Sequence, residues 1–265
     1  MSQSIYLKNA DEIALMREAG RIVAQTLQAM REAVKPGVTT LQLNRIAEEC
    51  LRDHGAEPTF LNYPKPNAPN YPAVITASIN HELVHGIPSG SRFLKEGDII
   101  SLDVGALYKG FVGDAAITVP VGEVPASVKR LIAATEAALA AGIQASRVPH
   151  TIRDVALAVQ QSAENSGYSV ALEYTGHGVG HQMHEPPEVP NWWPRNERRS
   201  RIRFQNVTLR PDMTYAIEPM LIAGRNELRE LADQWTVVTV DKSWCAHIEH
   251  TIAITEGDPV ILTTL

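Results

Sequence analysis

The sequence predicts an α+β domain built from two similar halves, and three observations predict it. A long helical pattern, a break holding a proline, a threonine and a second helical pattern occur near the N-terminus and again halfway along the 265 residues. Two apolar strand patterns joined by Lys109–Gly110, a hairpin signal, follow the first helix pair. The C-terminal third reads as further strands.

Each element has its own justification. Asn9 with Glu12 forms a capping-box pattern, and Ile13, Met16, Val23, Leu27, Met30 and Val34 then recur at helical spacing. "KPGVTT" breaks that helix, and Thr40 is placed to cap a second one running to about Gly55. The proline-rich stretch 56–95 reads as loops around short strands. "DIISLDVGALY" and "GFVGDAAITVPV" are the hairpin strands. "ASVKRLIAATEAALAAGIQAS" is a long helix, "RVPH" ends it, and Thr151 caps "IRDVALAVQQSAENSG". Thr40 and Thr151 lie 111 residues apart, which points to one domain, residues 1–265, of duplicated construction. "MTYAIEPMLI", "WTVVTV" and "AHIEHTIAIT" are the C-terminal strands.

Composition narrows the function. Apolar residues make up 44% and charged residues 20%, enough for a sizeable core. A net charge of −6 argues against a general nucleic-acid binder, and no apolar run reaches membrane-spanning length. Two cysteines make no disulfide framework, and the N-terminus lacks a signal-peptide pattern, so a cytoplasmic protein is expected.

Four acids stand inside otherwise apolar strands: Asp103, Asp114, Glu218 and Glu249. One alone reads as an outward-facing residue or an arginine partner. Four suggest a cluster, and clustered carboxylates hold protons unless a cation joins them. Asp103 and Asp114 flank the hairpin turn, so adjacent strands can bring them to one face. With a histidine added, the donors are too oxygen-rich for a structural zinc site and suit Mn²⁺, Fe²⁺, Co²⁺ or Zn²⁺. They exceed the needs of one ion and fit two, about 3.5–4 Å apart. "YTGHGVGHQMHEPPEVP" supplies His177, His181 and His184; its glycines and prolines make it strand or loop, where four-residue spacing does not mean one face.

"SLDVG", "GDAAIT", "TGHGVGHQMHEPP", "AIEPM" and "IEHTIAIT", with "NYPAVITASINHELVHGIP" upstream, resemble the type I methionine aminopeptidases in order and spacing. The resemblance covers almost the whole chain. It implies the pita-bread fold: two pseudo-symmetric halves, a central antiparallel sheet and covering helix pairs. It implies removal of the N-terminal methionine from nascent proteins when the second residue is small, as in this chain's own Met1–Ser2. It also implies two divalent ions, bridged by Asp114 and Glu249, with Asp103 completing one shell and His177 with Glu218 the other. Glu218 would shuttle the proton. His184 would contact the scissile amide, and His85 would stabilise the intermediate or protonate the leaving amine. Tyr71, Thr76, Met183 and Trp235 would form the methionine pocket, and His181 would be a nonligand.

The segment 190–205 is longer than in compact relatives and carries five arginines against one glutamate between 195 and 203. Besides a solvated loop, it suggests that Trp192, Trp193 and the arginines touch ribosomal RNA transiently or shape the substrate channel. A monomer without stable nucleic-acid or membrane partners is expected. The rival readings are a proline-specific pita-bread peptidase, for which the motifs begin too early to leave room for an extra N-terminal domain, and a noncatalytic pita-bread binder, which would lose metal ligands.

Overall fold

Asn9 caps the first helix as expected. Its side chain accepts from Glu12 N–H at 3.1 Å, and Glu12 returns the bond to Asn9 N–H at 2.8 Å. In this computed structural model, which describes residues 4–197 and 200–265, helix α1 runs Ala10–Ala33 and α2 Thr40–Asp53. Met1, Ser2, Arg198 and Arg199 lie outside the described residues. The cap of α2 is Thr39, not Thr40, because the box partner is Gln42: its side chain accepts from Thr39 N–H at 2.8 Å. Thr40, already helical, accepts instead from Ser89 N–H at 2.8 Å. The true equivalent of Thr151, which boxes with Asp154, is therefore Thr39.

Short strands β1 (Glu57–Pro58), β2 (Thr76–Ile79) and β3 (Glu82–Val84) lead to the hairpin β4 (Ile99–Tyr108) and β5 (Phe111–Pro120). Lys109 and Gly110 both have positive φ, +48° and +86°, the two-residue turn whose twist matches paired strands. The second half repeats the order with α3 (Ala126–Ala145), α4 (Ile152–Asn165), β6 (Ser169–Val170), β7 (Thr175–Gly178) and β8 (Glu185–Pro190). β9 (Thr214–Ile217), β10 (Met220–Ile222), β11 (Leu228–Glu230), β12 (Val237–Thr239), β13 (Cys245–His247), β14 (Glu249–Ala253) and β15 (Val260–Ile261) complete it. Two expected strands are thus each broken in the middle. Glu218–Pro219 separates β9 from β10, and Ile248 separates β13 from β14. The proline cannot donate a ladder bond, so the chain passes from the large sheet to a smaller one there.

The large sheet has the order β1-β4-β5-β14-β9-β7-β8, with β2 also on β4 and β15 on β14. Its centre is the antiparallel pair β5–β14, one strand from each half. Register sorts the side chains by face. Ala115 lies opposite His250, and His250 opposite Ile217, so Ala115, His250, Ile252, Tyr215 and Ile217 share the back face. There α1 and α2 bury Leu27, Met30 and Leu43 against Leu102, Val104 and Ala115. Leu131, Val155 and Val159 of α3 and α4 bury against Tyr215, Ile217 and Ile252 on that face. Gly20 and Gly113 let α1 touch the sheet directly: a Cβ at Gly113 would stand 2.6 Å from Gly20 N. The fold is the expected pita-bread layout, and among the described residues all four helices lie on the back face.

Segment 190–205 departs from expectation. Trp192 and Trp193 are 9% and 4% exposed, buried rather than solvated. Large apolar rings gain by burial; Trp192 meets Phe204 edge to face at 5.4 Å, Trp193 packs against it tilted at 5.6 Å, and Trp193 joins the core under α4. Arg195, Arg201 and Arg203 remain exposed.

Candidate metal centre

The front face carries the acids. Glu249 pairs with Ala116, Ala116 with Asp103 and Asp103 with Thr76, so one row crosses four strands. One step along, Asp114 lies opposite Gly105. Asp103 and Asp114 are therefore diagonal neighbours on one face, as the hairpin pattern suggested. Gly105 keeps that space open: a Cβ there would stand 3.3 Å from Asp114 Oδ1 and clash with Thr59. Glu218 follows back-facing Ile217 at the point where β9 breaks, so alternation turns its side chain to the same front face. The first half supplies two aspartates and the second two glutamates.

His177 arrives from β7. Its Nδ1 lies 3.1 Å from the Gly178 carbonyl, so Nδ1–H donates there and the lone pair sits on Nε2. Nε2 lies 3.6 Å from Glu218 Oε1 and 3.8 Å from Asp114 Oδ2. Burial, then neighbouring His184, lowers the imidazole to about 3, so it is a neutral donor at neutral pH. Burial, then the neighbouring carboxylates, holds Asp103, Asp114 and Glu249 well above the usual carboxylate range. Burial alone pushes Glu218 up to about 8.

All eleven residues singled out in the sequence line one cavity of about 240 Å³. Its floor is Asp103, Asp114, His177, Glu218 and Glu249. Its wall is apolar: Tyr71 and Trp235 meet edge to face at 5.1 Å, and Met183 joins the same cluster. Trp235 Nε1–H donates to the Pro69 carbonyl at 2.8 Å, and the Tyr71 hydroxyl lies 3.0 Å from the Gly86 carbonyl, which fixes that wall. Thr76 flanks Asp103. His85, at φ +61°, stands 6.1 Å from Trp235. A left-handed non-glycine costs about 1–3 kcal/mol and concentrates at functional sites. His184 stacks on His177 at 4.1 Å, toward the mouth. His181 is elsewhere: its ring lies exposed on Phe111 at 4.3 Å, with Nδ1 bonded to the Gly110 carbonyl.

Three residues escaped the sequence reading. Tyr63 hydrogen-bonds His184 Nδ1 at 2.7 Å, and Phe60 adds to the apolar wall. Neither stood out, because both lie in the irregular stretch 56–72. His247 lies buried among the acids, two residues before Glu249, and that two-residue spacing in a strand was an available signal.

The donor set fits divalent ions. Asp103 Oδ1, Asp114 Oδ1 and Glu249 Oε1 are buried without a hydrogen-bond partner among the described residues. The ion-pair partners found for Asp114, Glu218 and Glu249 are His177 and His247, both neutral at pH 7. Asp114, His177 and Glu249 bring ligand atoms within 4.8 Å of one another, as do Glu218, His247 and Glu249. Orphaned oxygens with no protein cation to answer them call for metal.

Comparison with known proteins agrees. The model for metallopeptidase family M24 matches residues 14–256. Methionine aminopeptidase 1 of Bacillus subtilis is 45% identical over 98% of this chain and 99% of its own length. The Escherichia coli methionine aminopeptidase is 37% identical over 98% and 94%. The crystal structure of the Thermotoga maritima methionine aminopeptidase superposes with a TM-score of 0.91 at 38% identity, covering 99% of this chain and 100% of that one. A prolidase from Pyrococcus furiosus, 21% identical with a TM-score of 0.77, shares the fold; this chain covers 65% of it. With the family model matching residues 14–256 and such relatives aligned almost end to end, the chain belongs to the M24 metallopeptidases, among the methionine aminopeptidases.

Proposed function

We propose that the chain, acting as a single catalytic domain and a cytoplasmic monomer, removes the N-terminal methionine of nascent polypeptides whose second residue is small. The observation that carries this reading is the junction of four carboxylates and a neutral imidazole with an apolar wall in one narrow cavity. At about 240 Å³ the space falls below the usual range for drug-sized ligands and suits a single terminal residue. Asp103, Asp114, His177, Glu218 and Glu249 would hold two divalent ions, one of Mn²⁺, Fe²⁺, Co²⁺ or Zn²⁺. When bound, such ions polarise the scissile carbonyl and make water a nucleophile at neutral pH.

The protein's own groups do the rest. The acidic floor attracts the substrate's free α-amine, which restricts cleavage to a chain terminus. Phe60, Tyr71, Met183 and Trp235 receive the thioether side chain. Glu218 accepts the proton of the attacking water and passes it to the leaving amine. His184, its Nδ1 held by Tyr63, offers its other nitrogen to the scissile amide, and His85 approaches from the Trp235 side to stabilise the developing charge. Tyr63 and His184 narrow the mouth through which the second residue passes, which supports the preference for a small one. Exposed Arg195, Arg201 and Arg203 support a transient ribosomal contact. Reversing these three charges without changing ribosome association or its salt dependence would remove that contact from the reading.

The test is chelation followed by titration with Mn²⁺ or Co²⁺, assaying release of methionine from Met-Ala-Ser and Met-Leu-Ser. Metal-dependent release favouring Met-Ala-Ser is expected. Folded, metal-loaded protein that releases nothing would sink the proposal in favour of a noncatalytic binder, and release of another first residue would reassign the specificity.

A further inference from the structure

His247 is 2% exposed, and its Nε2 has no hydrogen-bond partner among the described residues. It lies 3.5 Å from Glu218 Oε2 and 3.8 Å from Glu249 Oε2, beyond the usual range of an N–H···O bond. The same spacing recurs across the site, where His177 Nε2 stands 3.6 Å from Glu218 Oε1 and 3.8 Å from Asp114 Oδ2. Donors bound to one ion at about 2.1 Å lie roughly 3–3.5 Å apart, which sets both imidazoles close to the separation of groups that share a metal. Glu218 thus has one oxygen turned to each imidazole. His247 is also held firmly from behind. The Thr118 hydroxyl accepts from His247 N–H at 3.0 Å and donates to its carbonyl at 2.7 Å, and Ser101 steadies that hydroxyl at 2.9 Å. In β13, His247 pairs with Met220. Its ring is aimed at the acids from a fixed backbone.

We propose that His247 Nε2 is itself a metal ligand, a second imidazole for the centre on its Glu218–Glu249 side. The proposal rests on the dinuclear reading above and extends its ligand set from five residues to six. Imidazole favours Zn²⁺, Fe²⁺ and Co²⁺ over Mn²⁺, so His247 tilts the site toward the softer ions.

The decisive experiment is proton NMR of the full-length protein in water after chelation and reloading with Co²⁺. Each coordinated imidazole contributes one exchangeable N–H resonance shifted far outside the normal range by the paramagnetic ion. Two are expected in the wild type and one in His247→Gln. Calorimetric Co²⁺ affinity should fall roughly 10-fold or more in His247→Gln, and Mn²⁺ affinity by a smaller factor. Glutamine keeps an N–H donor, so a histidine that merely steadied Glu218 would leave Co²⁺ affinity within about twofold, and that result would overturn the proposal. A wild-type spectrum with one shifted N–H or none overturns it as well, without any variant. Wild-type protein that binds no Co²⁺ defeats the metal-centre reading itself, an outcome distinct from Co²⁺ bound by His177 alone.

Discussion

Removing the metal should make the protein lose stability as pH rises from 6.5 to 8, and restoring it should abolish that loss. The reasoning starts from Glu218, whose ordinary value of 4.5 is pushed up to about 8 by burial. Between those values the folded, metal-free protein holds a proton that the unfolded chain has released. Its contribution is complete below 4.5 and gone above about 8, so stability declines with increasing pH. The buried histidines act in the opposite sense. His85, His177 and His247 are lowered by burial from 6.5 to about 4, 3 and 4, so the unfolded state binds more protons and stability climbs toward 6.5. Below 6.5 the two sets oppose each other. Above it these histidines, with His184 and His250, which burial also lowers, give up their last unfolded-state protons within about one pH unit, a fading gain that the four acids outweigh across the window. Each excess proton is worth 1.36 kcal/mol per pH unit, and because Glu218 is half-ionised at its own value of about 8, it contributes by itself a loss of roughly 1–2 kcal/mol across this window. Asp103, Asp114 and Glu249, raised in the same direction, deepen it.

Urea unfolding followed by tryptophan fluorescence, at fixed ionic strength and at pH 6.5, 7.2 and 8, measures this directly. Chelated protein should show the decline. With Mn²⁺ fixed at about 100 times its pH 6.5 dissociation constant, stability at that pH should rise by about 2.7 kcal/mol and the decline should vanish, because affinity grows as the folded carboxylates no longer have protons to release. Chelated protein of constant stability from pH 6.5 to 8, or an equal slope with and without Mn²⁺, would refute the reasoning.

Three substitutions probe other links in the chain from structure to activity. Glu218→Gln should lower kcat roughly 10²–10⁴-fold by removing the proton acceptor, with metal content measured alongside; full activity would assign the shuttle elsewhere. Lys8→Ala should cost about 3–5 kcal/mol in urea unfolding, because Lys8 is 1% exposed and its 2.7 Å bond to Glu185 is the buried tie between the N-terminal segment and the loop carrying Met183 and His184; an unchanged midpoint would show that water compensates the pair. Trp235→Ala should raise KM for methionyl peptides and narrow the gap between methionine and bulkier first residues, read from paired peptide assays. A rise in KM equal for every first residue would place the ring outside the specificity wall.

Much of the site is legible in the sequence, for an identifiable physical reason. Apolar strands do not ordinarily tolerate acids, so Asp103, Asp114, Glu218 and Glu249 announced themselves by breaking a rule, and register then placed them together. Lys109–Gly110 was legible because few dipeptides accept two positive φ angles. Thr39 was not, because adjacent threonines are equivalent until the partner three residues on is considered. Trp192 and Trp193 misled because a charged neighbourhood suggested exposure, whereas ring burial against Phe204 decided the matter. Phe60 and Tyr63 sit where no periodicity operates, and only tertiary contacts bring them to the cavity.

His247 was missed for a different reason, and it shows how the fold builds the site. "AHIEHTIAIT" reads as one alternating strand, in which residue 247 shares a face with 249 and residue 250 takes the other. The chain in fact breaks at Ile248, passing from a small sheet to the large one, yet both side chains still turn toward the acids. The opposite break, at Glu218–Pro219, lies directly across from it, and Ile248 N–H donates to the Pro219 carbonyl at 3.4 Å. The two breaks lie side by side where Glu218, His247 and Glu249 meet, and alternation holds across them: residue 218 shares a face with 216, and 247 with 249. Parity along the strands is strict: shifting β5 or β14 by one residue would send Asp114 or Glu249 into the helix-packed core and Ala115 or His250 into the site. The apolar back face therefore sets the register, and register, rather than any attraction among the ligands, assembles a cluster of mutually repelling groups that only cations can stabilise.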